Sequence, residues 1–181
     1  IYEPVDSAQL RLAFPQILAH DGPVYIRLLR RAAVQVYRED SPFQLGKGAV
    51  LREGRDVSVF ATGIMVAEAL EAARLLEEEG IDAEIINIHT LKPLDRQLVL
   101  DSAQKTGAVV TAENHSVLNA LGSAVAEVLA EECPAPLTRV GIQDHFGEVG
   151  STQFLQQKYG LTAQAIVQAA HSSIKKRGMW K

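Results

Sequence analysis

Cysteine is almost missing from this 181-residue chain; Cys133 stands alone. An internal disulfide and any cysteine-built metal cluster are therefore excluded, and a reducing, cytoplasmic setting fits that usage. Long hydrophobic runs are also missing. No stretch approaches the roughly 18 apolar residues that a membrane helix needs, and the opening residues are too polar and mixed for a signal peptide. There is no excess of positive charge either: 18 Lys and Arg stand against 22 Asp and Glu, a formal net charge of −4. That balance argues against both nucleic acid and an anionic membrane as partners. The one basic run, Lys175-Lys176-Arg177 with Lys181, reads as a solvated, frayed terminus. Methionine occurs only at Met65 and Met179, and the first residue is Ile1. The expectation is that sequence is missing upstream.

Phosphate-binding glycine loops are lacking as well. A dinucleotide fold needs G-x-G-x-x-G between a strand and a helix. The candidate turn, Ala61-Thr62-Gly63-Ile64-Met65-Val66, has one glycine, and no Walker A sequence exists. Such a sheet lacks the loop that lets a pyrophosphate approach a helix N-terminus, so it reads as a scaffold or dimerisation domain.

What is present is an ordinary globular composition, 47% hydrophobic and 22% charged, able to bury a sizeable core. Asp6 can cap a helix with Gln9 as its capping-box partner. The segment to Ala19 carries Leu10, Phe14, Ile17 and Leu18 at helical spacing, with Pro15 inside it. Asp21-Gly22-Pro23 breaks the chain, and Val24 to Leu29 reads as a strand. This pair is too small to bury itself and reads as the tail of a domain cut off upstream. Residues 31–48, with Pro42, Gly46 and Gly48, read as an interdomain linker.

From Ala49 onward, strands and helices alternate. Ala49–Arg52, Val57–Ala61, Ala83–His89, Ala108–Ala112 and Leu137–Ile142 read as strands. Helices are expected from Gly63 to about Glu79, stopped by Gly80, from Pro93 to Gln104, stopped by Gly107, over Ala120–Glu131 and Ser151–Lys158, and from Thr162 to about Lys175. The fold class is α/β, a three-layer αβα arrangement around a mostly parallel sheet, because such alternation implies βαβ crossovers.

Four stretches could carry chemistry. Arg27, Arg30 and Arg31 lie near a strand's C-terminal end, where open α/β sheets bind ligands. A guanidinium there suits a phosphate bidentately, although from spacing alone a surface ion pair is the plainer reading. Glu113-Asn114-His115, and likewise His89-Thr90, could serve acid/base work. Holding a loop by hydrogen bonds is the plainer reading of both. Asp144, His145 and Glu148 look like metal-ligand material, but no second cluster completes a site, and Phe146 between them reads as a packing anchor. No metal site is assigned.

Several of these stretches together resemble the transketolase family. They are Tyr2-Glu3-Pro4-x-Asp6, Asp21-Gly22-Pro23-Val24-Tyr25-Ile26-Arg27, Val57 to Gly63, and Asn87-Ile88-His89-Thr90-Leu91-Lys92-Pro93-Leu94-Asp95. Glu113-Asn114-His115, Leu121 to Val125 and Phe146-Gly147-Glu148 complete the set. The order covers nearly the whole chain and is similar to C-terminal subunits of bacterial transketolases split into two chains.

The resemblance implies that residues 1–30 end a pyrimidine-binding domain, that 31–48 link, and that 49–178 form the transketolase C-terminal domain. It implies a parent enzyme that moves a two-carbon ketol unit between sugar phosphates, in which thiamine diphosphate with a divalent metal (Mg²⁺) supplies the carbanion chemistry. The residues that hold that cofactor and activate it would lie upstream, so this chain alone would bind no cofactor and be inactive. The expected partners are an N-terminal cofactor-binding domain or subunit and a second copy through the C-terminal domain. The one functional residue carried over is Arg30, which matches the family's phosphate-binding arginine, with Arg27 in support.

There are departures from the family pattern. Asn119-Ala120 stands where the family usually has Gly-Gly, Val149 where many relatives have Ser, and Leu29 where deoxyxylulose-phosphate synthases place Pro. That synthase and the beta subunit of a 2-oxo acid dehydrogenase are rivals in the same fold. A non-catalytic regulatory or assembly domain is a rival of another class.

Overall fold

The computed structural model describes residues 1–179. Five strands form one sheet: β1 (Ala49–Arg52), β2 (Val57–Ala61), β3 (Ala83–Asn87), β4 (Val109–Ser116) and β5 (Leu137–Ile142). Their spatial order is β1-β3-β2-β4-β5. β1 alone runs antiparallel; the β2–β3, β2–β4 and β4–β5 pairs are parallel. Central strands covered on both faces need apolar residues at consecutive positions, and β2 and β3 are buried throughout.

The pleat divides that burial between two cores. Val59, Ile85 and Val110 face α2 (Met65–Glu78) and α6 (Ala163–Met179), packing with Val66, Leu76 and Ile166. Phe60, Ile86 and Val109 point the other way, against Val99, Val125 and Val128 of α3 (Arg96–Thr106) and α4 (Leu121–Glu132). The three-layer αβα expectation therefore holds. α2 ends where Gly80 turns left-handed at φ 79°, and α3 ends at Gly107, φ 63°, conformations that cost glycine little.

Four local expectations change. Val24–Leu29 is not a strand. Among the described residues its only ladder contact is a single parallel bridge from Ile26 to Tyr2, because the segment beside it turns away at Pro4 to begin α1 (Ser7–Leu18). β4 ends four residues later than expected, so Glu113, Asn114 and His115 lie within the strand rather than after it. α6 reaches Met179, where fraying was expected from Lys175. Arg177 Nη1 anchors it by donating to the carbonyls of Asp56 and Thr106; Lys181 lies outside the described residues. Phe146 is no packing anchor: among the described residues its side chain is fully exposed, because it sits in the irregular loop between β5 and α5 (Thr152–Lys158), where no helix or strand turns it inward.

The opening segment packs on the α/β unit by a small face. Asp6 caps α1, its Oδ1 accepting from Gln9 N at 2.8 Å. Its Oδ2 accepts from the backbone of Val36 and Tyr37 at 2.7 and 2.8 Å. One carboxylate thus fixes both a helix start and the connecting segment. Residues 31–48 are irregular, as expected, but tied down. Tyr37 is buried and its hydroxyl accepts from Asn87 Nδ2 at 2.9 Å. The expected apolar stripe of α1 is split: Leu10 and Ile17 are half-buried, Phe14 is 49% and Leu18 72% exposed, and Ala8, Gln9 and Ala13 are the buried residues.

Candidate functional site

The C-terminal ends of β2, β3 and β4 are where an open parallel sheet offers a ligand crevice. Here the crevice is crossed by the chain's own opening residues. Tyr2 bridges to Ile26 on one side and Thr90 on the other, and Glu3 N donates to the His89 carbonyl at 2.8 Å. This lays the Glu3 side chain over the β2–α2 turn. Gly63 sits there at φ +54°, and a Cβ on it would lie 2.5 Å from Glu3 Oε1. Both the backbone angle and the close approach require glycine.

Glu3 is buried among charges. Arg27 Nη1 donates to Glu3 Oε1 in a tight ion pair. Arg27 Nη2 donates to the Asn114 carbonyl at 2.6 Å. Burial pushes the Glu3 carboxyl above the usual carboxylate range; the Arg27 guanidinium opposes that rise. Next to it, Glu113 is fully buried and accepts from Leu121 N at 3.0 Å and Gly122 N at 2.8 Å. Those two N–H groups are orphan donors of the first turn of α4, so Glu113 closes the helix end. Burial raises its pKa also, with the two N–H groups pulling the other way. Asn119 makes the preceding turn at φ 59°, so the left-handed conformation survives without the family's glycines.

The other candidates separate from this cluster. His89 is buried between Tyr2 and Phe43, ring centroids 5.6 and 4.7 Å away, with Nδ1 3.0 Å from Thr90 Oγ1. Burial lowers its pKa to about 4, so it is a neutral packing residue at pH 7. His115 is exposed. Glu148 pairs with Lys158 at 2.6 Å. Asp144, His145 and Glu148 do not converge, and no three His, Cys, Asp or Glu among the described residues group to hold a metal.

Arg30 lies three residues beyond Arg27, exposed and without an ion pair or hydrogen bond among the described residues. The two arginines therefore stand in different states, one engaged in two directions and one open. Residues 1 to 3, the loop after β3 and the start of α4 frame a cleft of about 670 Å³ beside the Glu3–Arg27 pair, with Tyr25, Arg27, Leu91, Leu94, His115 and Leu121 in its walls.

Diphosphate does not fit the β2–α2 turn of this chain. A carboxylate already lies against Gly63, and a second negative group there would meet it at close range with no glycine loop to cradle it. Glu3 is the residue that sequence reasoning passed over. It appeared only as part of a family motif, and its lone signal was an acid between a buried tyrosine and a proline.

Comparisons with known proteins agree with this architecture. The chain is 67% identical over 94% of its length to a 6-deoxy-6-sulfo-D-fructose transketolase subunit of Clostridium sp. (strain MSTE9), of which it covers 53%. It is 38% identical over 97% of its length to 1-deoxy-D-xylulose-5-phosphate synthase 1 of Geobacter sulfurreducens, covering 28% of that enzyme. Among solved structures, a split gene transketolase described as an inactive beta4 tetramer superposes with a TM-score of 0.91 at 50% identity. The match takes in 96% of this chain and 56% of that one. The chain thus spans about half the length of the split-type relative it matches. The family described as the transketolase C-terminal domain matches residues 46–166, and with two thirds of its length inside that match the chain belongs to the transketolase C-terminal domain family.

Proposed function

We propose that this chain is the C-terminal part of a thiamine-diphosphate-dependent transketolase, which moves a two-carbon ketol unit between sugars ending in an anionic group. The observation that carries this reading is the 67% identity to a sulfofructose transketolase subunit, joined to an open arginine, Arg30, at the exposed end of the opening segment. A guanidinium presents paired N–H donors to a trioxo anion, phosphate or sulfonate alike. Fixing that end of the sugar uses binding energy remote from the reacting carbon to position the substrate.

The division of labour follows. Residues 1–30 belong to the pyrimidine-binding domain, residues 31–48 link, and residues 49–178 buttress it. The open stripe of Phe14 and Leu18 on α1 supports this division, because such a stripe needs a further layer of the upstream domain to cover it. Thiamine diphosphate and Mg²⁺ would be held by the N-terminal partner subunit or domain, since the β2–α2 turn here opposes a diphosphate. The 50% identity to a split transketolase described as a beta4 tetramer supports self-association of this part, and the single cysteine supports a cytoplasmic setting.

The relative's name favours a specific donor, a ketose ending in a C6 sulfonate rather than a phosphate. The test combines this chain with its N-terminal part, thiamine diphosphate and Mg²⁺, and assays 6-deoxy-6-sulfofructose, xylulose 5-phosphate and pyruvate as donors to a phosphorylated aldose. Ketol transfer from either sugar supports the proposal. Turnover confined to pyruvate would assign the chain to the deoxyxylulose-phosphate synthase branch instead.

A further inference from the structure

We infer that Arg27 is a positioning residue: clasped by the Glu3 carboxylate and the Asn114 carbonyl, it locks the segment bearing Arg30 to the C-terminal domain and does not itself bind the sugar's anion. The inference rests on the proposal that Arg30 is the anion-binding group, and it departs from the expectation that the two arginines act alike.

The geometry separates them. Arg27 offers Nη1 to Glu3 and Nη2 to the Asn114 carbonyl, so both ends of its fork are engaged within the protein. Its backbone is held as well, since Arg27 N donates to the Tyr2 carbonyl at 2.9 Å. A guanidinium neutralised by a buried carboxylate has little left for a second anion. Beyond it the segment has no ladder partner among the described residues, and Leu28, Leu29, Arg30 and Arg31 are all exposed. Three residues of chain reach at most about 10 Å, so fixing Arg27 confines where Arg30 can sit.

The clasp spans three pieces distant in sequence. Glu3 comes from the opening segment, Arg27 from the extended segment after α1, and Asn114 from β4 of the sheet. Gly63, which must lack a Cβ for Glu3 to lie flat, adds the β2–α2 turn. A domain without reacting groups would in this way set substrate affinity: the sheet places Asn114, Asn114 and Glu3 place Arg27, and Arg27 places the loop.

The complete enzyme, with its N-terminal part, thiamine diphosphate and Mg²⁺, provides the test. Arg30→Ala, Arg27→Ala, Arg27→Lys, Glu3→Gln and the double variant Arg27→Ala/Arg30→Ala are compared with a phosphorylated or sulfonated ketose donor. Arg30→Ala tests the underlying reading by itself, with KM expected to rise roughly tenfold or more. If it leaves KM unchanged, that reading fails and the inference fails with it. Where Arg30→Ala acts, Arg27→Ala is expected to raise KM by a similar factor with a much smaller change in kcat. Arg27→Lys should recover part of the loss, because it keeps the charge beside Glu3 but not the second bond. In the double variant Arg27→Ala should add nothing to Arg30→Ala, the signature of one residue acting through another.

Multiplying effects in the double variant would show Arg27 binding the anion directly and overturn the inference. A fall in kcat at constant KM would overturn it too, as the mark of a merely structural residue. If Arg27→Ala does not assemble, Glu3→Gln and Arg27→Lys decide: a KM unchanged in both refutes the clasp, and a selective KM rise in either supports it.

Discussion

Gly63→Ala probes the clasp from the side of the sheet. Two separate costs follow from the structure. The backbone at φ +54° is left-handed, which costs an alanine about 1 to 2 kcal/mol. The new methyl would also stand 2.5 Å from Glu3 Oε1 and 2.8 Å from Glu3 Cδ, too close to tolerate, so the carboxylate has to leave. Its departure loosens the pair with Arg27 and the order of the opening segment. Breaking a buried ion pair costs about 3 to 5 kcal/mol when one partner is deleted. Here the partners survive and Arg27 keeps a third of its side chain in solvent, so about 1 to 2 kcal/mol is the expected share.

The total is about 2 to 4 kcal/mol, read from urea unfolding midpoints at constant slope. The two costs separate in a double-mutant cycle with Glu3→Ala. Without the Glu3 carboxylate the methyl has room, and Gly63→Ala should then cost only the backbone share. A coupling of at least about 1 kcal/mol is expected. If Gly63→Ala changes stability by less than about 0.5 kcal/mol, or costs the same with and without Glu3, the close approach at this turn is refuted.

Two further outcomes are expected. Glu113→Ala leaves the buried N–H groups of Leu121 and Gly122 without an acceptor and should cost about 2 to 4 kcal/mol. Glu113→Gln keeps one acceptor oxygen and should cost clearly less; equal losses for the two variants would contradict the capping role. For His89, the folded pKa of about 4 lies below the ordinary value of 6.5. The unfolded chain therefore takes up the proton first, and the stability that neutral His89 contributes is full above about pH 6.5 and lost as pH falls towards 4. That loss is on the order of 2 to 3 kcal/mol. In His89→Phe the fall in unfolding free energy between pH 6.5 and 4 should shrink by that amount. An identical pH profile would show that His89 titrates normally.

The reach of sequence reading can be judged from particular residues. Val57–Ala61 and the run from Ala83 were legible because a strand buried on both faces must be apolar at consecutive positions. Gly80 and Gly107 were legible as stops because few other residues enter the left-handed region cheaply. Val24–Leu29 misled because β-branched residues raise strand propensity whether or not a partner strand lies alongside. Phe146 misled because an aromatic side chain carries no sign of where its loop will point. At the site, Arg27 and Arg30 were visible as charges, but two arginines three residues apart look alike until one is seen to be engaged.

What this sequence determined by itself was the layering: local apolar periods and glycine stops depend only on neighbours along the chain, and they specify five strands between two sets of helices. Only the tertiary structure decided which polar groups meet. Glu3, Gly63 and Asn114 are separated by about 50 to 60 residues at each step, and no local rule relates them. They converge because parallel strands end side by side and the opening segment is drawn across those ends, so burial of Tyr2 and the pairing of Glu3 with Arg27 become possible together or not at all.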